Sequence, residues 1–308
     1  MEKYFLIIIL FFSGIQKCDA SGFSLNDTSL VIKDSLKIAS REFNHNTSGD
    51  YNVTWYRMFT QIPDDEYSFF QNSLQISELP TYFGLAAVTG CLMKVDQSGW
   101  KVDGKLYNSS GTYKTASDFS VYMGEGGVHF ALSGLFGAYG FLYNDQEALK
   151  TSSNIAESVL ATGLLVQALK RVTGRESPAV ALNTRWRWKF FPSVKEYQKN
   201  QPKYYSFPSG HMASATTTLI VIANNYPDLT WLKPVGYSAL GLLGMGLVSK
   251  GMHWYSDLPM GFFIGYSMGN IIAPRVRVRL DKNTDSSQFL ISPDLFNKKL
   301  GLNVAYLF

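Results

Sequence analysis

The chain has 308 residues, a formal net charge of +4 and a mean hydropathy of -0.04. That length is enough to bury a sizeable core, in one large domain or two small ones. The mild charge, with no basic run beyond the short "RVRVR" at 275–279, excludes a nucleic-acid-binding reading.

The N-terminus reads as an export signal. Lys3 is its basic start, "YFLIIILFFSGI" its apolar middle and "CDA", ending at Ala20, a small-residue cleavage site. The apolar stretch is short for a membrane span. Two further readings stay open behind cleavage: lipidation at Cys18, disfavoured by Lys17, and an uncleaved anchor. With the signal removed only Cys91 remains, so no internal disulfide is available and packing alone must hold the domain. Cys91, in "YFGLAAVTGCLM", is expected to be a small core residue.

Residues 21–62 are polar and irregular, as in a loosely packed arm. "PDDEYSFFQNSL" at 63–74 starts with proline and two acids, a helix-start signature, and a second helix is expected over about 80–93. Residues 94–117, rich in Gly, Ser, Asp and Lys, read as a surface excursion. From there helices are predicted at 118–143, 146–172, 210–225, 230–250 and 258–273. The segment 146–172 has Lys170 and Arg171 in its last turn and Gly174 just beyond. The long connection 175–207 contains "RWRWKFFPS"; ordered loops of that length usually carry function. Each apolar run stops at about fifteen or sixteen residues or carries a polar side chain such as Glu157 or Gln167, whereas a span needs about 20 apolar residues. The expectation is an all-α helical bundle with very apolar core helices, a membrane-embedded bundle being the alternative. The alternation in "SQFLISPDLFNKKLGLNVAYLF" predicts a small C-terminal β-hairpin turning near Asn297–Lys299. The expected organisation is a signal peptide at 1–20, an arm with accessory helices at 21–117, the helical core at 118–280 and the hairpin at 281–308.

Four histidines are present: His45, His129, His211 and His253. His211 follows Pro208, Ser209 and Gly210 where a helix is predicted to begin. A helix start presents unpaired N–H groups and the positive end of the dipole, which suits an anion. Gly210 lets the backbone approach a ligand, Ser209 adds a hydroxyl, and His211 stands ready as a proton donor. His253 lies at a break between helices, with Gly251 as the preceding helix's C-terminal glycine and Asp257 as the N-cap of the next. A carboxylate four residues on can accept from one ring nitrogen and make the other more basic, which suits a nucleophile. Lys170 would complete a cationic site for a phosphoryl group if it faces both histidines. His129 reads as a satisfied core histidine, with Glu125 one helical turn away, and His45 as a surface residue.

The order of these elements resembles the type 2 phosphatidic acid phosphatase and vanadium haloperoxidase superfamily. Its pattern is a lysine followed after six residues by Arg-Pro, then Pro-Ser-Gly-His, then Ser-Arg, five residues, His, three residues and Asp. Here "KRVTGRESP" supplies Lys170 and Pro178 but has Ser177 in place of the arginine. "PSGH" at 208–211 is complete, and His253 and Asp257 match, but Leu247 stands where the second arginine belongs. The resemblance covers roughly 118–273. It implies that His253 attacks phosphorus, Asp257 orients it and His211 protonates the leaving group. Lys170, Ser209 and Gly210 would hold the phosphoryl oxygens, and no metal would be required. Arg175 is expected to reach the phosphate in place of the missing arginines, the alternative being a solvated loop arginine. Lys250, Arg185 and Arg187 are the other nearby cations.

The resulting expectation is an exported, periplasmic or envelope phosphatase without a cofactor, acting on a lipid phosphate, a lipid pyrophosphate or a small phosphate ester, with membrane-surface association. Two other readings stand beside it. One is a vanadate-dependent haloperoxidase, disfavoured because it leans on the absent arginines. The other is a non-catalytic phosphate- or lipid-binding envelope protein.

Overall fold

The computed structural model describes residues 57–181, 187–275, 288–294 and 301–307. The expected signal segment, most of the arm, His45, Arg185 and the hairpin turn lie outside the described residues. Among those described, the helices are α1 (Arg57–Thr60), α2 (Ile62–Ser73), α3 (Leu79–Ser109), α4 (Gly111–Met123), α5 (Gly126–Tyr143), α6 (Gln146–Thr173), α7 (Val194–Lys199), α8 (Gly210–Asn225), α9 (Leu232–Ser249) and α10 (Leu258–Ile272). Strands β1 (Gln288–Asp294) and β2 (Gly301–Leu307) pair antiparallel, Gln288 opposite Leu307 and Asp294 opposite Gly301. The bundle is all-α, as expected, with this hairpin beyond it.

Local chemistry sets most of the boundaries. Asp145 caps α6 by accepting from the Ala148 N–H, and Ser209 caps α8 by accepting from the Met212 N–H. Gly174 ends α6 in the left-handed region at φ +52, and a Cβ there would lie 2.0 Å from the Lys189 carbonyl oxygen, so only glycine fits.

Two boundaries differ from expectation. The predicted excursion at 94–117 is helical: α3 runs on to Ser109, and α4 starts at Gly111 behind the Ser110 cap. Its glycines serve close packing rather than turns; a Cβ on Gly99 would meet the Tyr255 ring at 2.8 Å. The single helix expected at 118–143 is broken at Gly124, where a Cβ would lie 2.8 Å from Leu243, and Glu125 is extended. Cys91 is exposed, not a core residue. The only buried residues of α3 are Asp96 and Asp103, so its polar side faces inward, while Phe83, Val88 and Val102 are exposed.

The core that carries the site is the stack of α6, α8 and α10. Ala161, Leu165 and Val166 of α6 pack with Ala213 of α8 and with Ile264, Met268 and Ile272 of α10. A second cluster joins Met212 to Leu243 and Leu247 of α9 and to Leu258. Gly261, Gly265 and Gly269 form a stripe on α10 that lets α8 approach; Cβ atoms there would come within 2.5 Å of the Ser209 carbonyl oxygen and 2.3 Å of that of Ala213. Gly261→Ala is therefore expected to displace the first turn of α8 and lower stability by about 1–3 kcal/mol. Gly84→Ala, at a position with nothing within 4 Å, should leave Tm unchanged or slightly higher. Thermal denaturation of the two variants checks this, and equal Tm values would show that the stripe does not position α8. Among the described residues no helix is long and apolar enough to cross a membrane.

Candidate active site

The site forms where the C-terminus of α6, the N-terminus of α8 and the turn between α9 and α10 meet. The Ser209 hydroxyl is used as the helix cap and its N–H donates to the Asp257 carbonyl oxygen at 3.2 Å. The N–H groups of Gly210 and His211 have no protein acceptor among the described residues. The cradle is therefore the backbone at 210–211 rather than the Ser209 hydroxyl, and the helix dipole adds to it.

Lys170 is buried and its ammonium lies beside this helix start. A Cβ on Gly210 would be 3.6 Å from Nζ, and the Tyr205 ring centroid is 5.1 Å from it. Burial pushes the Lys170 pKa down to about 8, only partly offset by Asp257. The His211 ring stands 6.1 Å from the His253 ring in an edge-to-face arrangement. Burial, with His253 and Lys170 adding repulsion, pushes the His211 pKa down to about 3. His211 is therefore neutral at neutral pH.

His253 is completely buried. Its Nδ1 donates to the Ser206 carbonyl oxygen at 2.7 Å, which leaves the lone pair on Nε2. Nε2 has no partner among the described residues. Asp257 Oδ2 lies 3.7 Å from Nδ1, beyond hydrogen-bond reach. The expected direct His253–Asp257 bond is thus replaced by the Ser206 carbonyl, and Asp257 acts on the ring through its charge. Asp257 also makes no side-chain cap on α10. It accepts instead from the Ser206 hydroxyl at 2.6 Å and the Trp254 N–H at 2.7 Å, and it pairs closely with Arg175. Burial pushes Asp257 up, but Arg175, His253 and Ser206 outweigh it and hold the carboxyl below its ordinary value. Burial, with Lys170, holds His253 below the ordinary histidine value against the pull of Asp257.

Arg175 is not placed where the sequence reading expects it. It is completely buried, with Nη1 on Ser256 Oγ at 2.7 Å and on Asp257, and Nη2 on Asp96 at 2.8 Å. Its guanidinium lies between the Trp188 and Trp254 rings, at 4.8 and 5.9 Å. It is neither solvated nor turned to the phosphate cradle. The reason is charge: two buried carboxylates bind a planar fork more strongly than an empty anion site does. Lys250 pairs with Asp118 and Arg187 lies 3.8 Å from Glu176, so neither replaces the missing arginines. His129 is a buried core histidine, as expected, but only half satisfied: the ring has a backbone hydrogen bond at Gly124, while its Nε2 has no partner among the described residues and it does not pair with Glu125. Burial pushes its pKa down to about 4. A cleft of about 600 Å³ lined by Lys150, Asn224, Thr230 and Lys233 lies at the opposite ends of α6 and α8 and is no part of this site.

Sequence reasoning missed Ser206 and Asp96. Ser206 had a weak signal, its place three residues before Ser209. Asp96 had none, because it lies 160 residues from its partner Ser256.

Residues 153–280 match the PAP2 superfamily. Two solved structures are similar to the chain. The crystal structure of Aquifex aeolicus LpxE is 20% identical and covers 56% of this chain and 93% of its own, with a TM-score of 0.42. The crystal structure of the first transmembrane PAP2 type phosphatidylglycerolphosphate phosphatase from Bacillus subtilis is 16% identical and covers 71% and 95%, with a TM-score of 0.42. No curated protein matches. The PAP2 region holds Lys170, Ser209, Gly210, His211, His253 and Asp257, while Asp96 lies outside it.

Proposed function

We propose that the protein is a phosphatase that hydrolyses phosphate monoesters through a phosphohistidine at His253, outside the cytoplasm, with lipid phosphates or pyrophosphates as favoured substrates. The match of residues 153–280 to the PAP2 superfamily supports phosphatase activity in general. The observation that carries the finer reading is the buried, unpartnered Nε2 of His253, with its tautomer set by Ser206, on a ring 6.1 Å from that of His211 at the start of α8 and close enough to Lys170 to feel its charge. A site that only bound phosphate would need no such lone pair.

The Gly210 and His211 N–H groups and Lys170 hold the phosphoryl oxygens. The Nε2 lone pair forms a bond to phosphorus as the bond to the ester oxygen breaks, and His211 gives that oxygen a proton. Water then attacks phosphorus, His211 takes the water's proton, the N–P bond breaks and phosphate leaves. Because His211 is neutral at neutral pH, its proton must arrive with the substrate. A phosphate monoanion carries one, and its second pKa is about 6, so turnover should decline as pH rises through that value. No cofactor enters these steps, and vanadate binding stays a minor alternative because both motif arginines are absent. Exposed Phe190 and Phe191, next to Lys189 on the loop that packs on Gly174, support contact with a lipid surface.

The test is phosphate release from a lipid phosphate in vesicles and from a small aryl phosphate, each with and without EDTA. Metal-independent release, faster on the lipid, is expected. Equal rates would remove the lipid preference, and loss of release in EDTA would remove the phosphohistidine route. Tight lipid-phosphate binding with no release would favour the non-catalytic reading.

A further inference from the structure

We propose that Asp96 is a positioning residue for His253, acting by drawing half of the Arg175 guanidinium away from Asp257 so that net negative charge remains behind the imidazole. This rests on the phosphohistidine reading above but concerns a residue outside the PAP2 region.

The geometry is that of one cation shared by two anions. Asp96 and Asp257 are both completely buried, and Arg175 lies between them with Nη2 on the first and Nη1 on the second. Asp96 is held rigidly: Oδ1 accepts from the Ser256 N–H at 3.0 Å and Oδ2 from the Ser256 hydroxyl at 2.5 Å. That hydroxyl in turn accepts from Arg175 Nη1. The two tryptophans and this hydroxyl fix the plane of the guanidinium. With both carboxylates ionised, one guanidinium leaves one negative charge in excess, and it faces the Nδ1 side of His253 through Asp257 Oδ2, 3.7 Å away; burial pushes the Asp96 pKa up, while Arg175 and the Ser256 hydrogen bonds pull it down.

The consequence concerns charge on the ring. When Nε2 bonds to phosphorus, the imidazole becomes cationic. The excess negative charge stabilises that cation in an interior where charges are poorly screened. With Arg175 bound to Asp257 alone, the pair would be neutral and the phosphohistidine would have only the Ser206 carbonyl behind it. The other groups facing His253 are Lys170, which opposes a cation, the neutral His211 ring at 6.1 Å, and Tyr205, whose ring is 6.5 Å away. Asp96 therefore supplies the offset that the Lys170-rich side of the site demands.

The experiment measures the His253 pKa by NMR in the empty protein and the acidic limb of kcat/KM for phosphate release. In Asp96→Asn, which keeps the shape and loses the charge, the His253 pKa should fall by about one unit. The acidic limb should move with it, and kcat should drop about 10-fold or more at unchanged KM. Asp96→Asn combined with Arg175→Met restores the single excess negative charge, so both readouts should return toward wild type. A merely structural Asp96 would lower Tm without moving the His253 pKa. An unmoved pKa in Asp96→Asn overturns the proposal, and so does a double variant that fails to recover. If Asp96→Asn does not fold, the double variant alone must match the wild-type pKa. A wild-type protein that releases no phosphate would sink the phosphatase reading, while the NMR titration would still decide the role of Asp96.

Discussion

Replacing His253 by asparagine is expected to abolish phosphate release while leaving the fold intact. Asparagine is chosen because its side-chain amide can reproduce the donor now on Nδ1, so the Ser206 carbonyl oxygen keeps its 2.7 Å partner. What is lost is the Nε2 lone pair. Alanine would also leave that buried carbonyl unpaired, a loss of about 1–3 kcal/mol, and would confuse a stability effect with a chemical one. Removal of a nucleophile from a site that otherwise keeps its cradle lowers kcat on the order of 10⁴-fold or more. The wild type should also hold labelled phosphate after an alkaline quench, since an N–P bond survives base and breaks in acid, and His253→Asn should not. Release by His253→Asn comparable with wild type would remove the nucleophile assignment.

The second large effect is a trade of stability against function at Lys170. Its ammonium is buried beside the positive end of α8 and donates to no protein group among the described residues. The folded state lowers its pKa from 10.5 to about 8. The unfolded chain therefore binds more protons between those two values, and stability rises with pH across that window. Below pH 8 the burial cost is fully present. Lys170→Met removes it and should stabilise the empty protein at neutral pH by about 1–3 kcal/mol, less a part returned by losing the Tyr205 contact. Anion binding should suffer in return. Sulfate, which keeps its charge throughout, should bind more weakly as pH rises through about 8 in the wild type. In Lys170→Met it should bind weakly at every pH. Thermal denaturation and calorimetric titration check both halves. A destabilised Lys170→Met, or sulfate affinity flat across pH 8, would show that the ammonium is not an unpaired buried cation.

The elements and the site differ in how much of them could be read beforehand. Helix ends are legible where a single residue decides them, as at Gly174 beyond the last turn of α6. The region 94–117 was not, because its glycines, serines and charges look like a loop in isolation. Only when Tyr255 packs on Gly99 and the inward-facing carboxylates find partners does a continuous helix become the better state. Cys91 misled for the same reason: α3 turns its polar side inward, so an apolar neighbourhood in sequence did not mean burial.

By itself, then, the sequence indicated the helical class, an anion-suited helix start at Ser209–Gly210, and Lys170, His253 and Asp257 as candidate site residues. Those depend on local rules: helix caps, the dipole and short spacings within one turn. Only the tertiary structure decided where Arg175 goes, that the Ser206 carbonyl oxygen takes the His253 Nδ1 proton, and that Asp96 reaches Arg175 and Ser256. A buried charge settles on whichever opposite charges the fold brings to it, and no spacing along the chain foretells a partner 79 residues away.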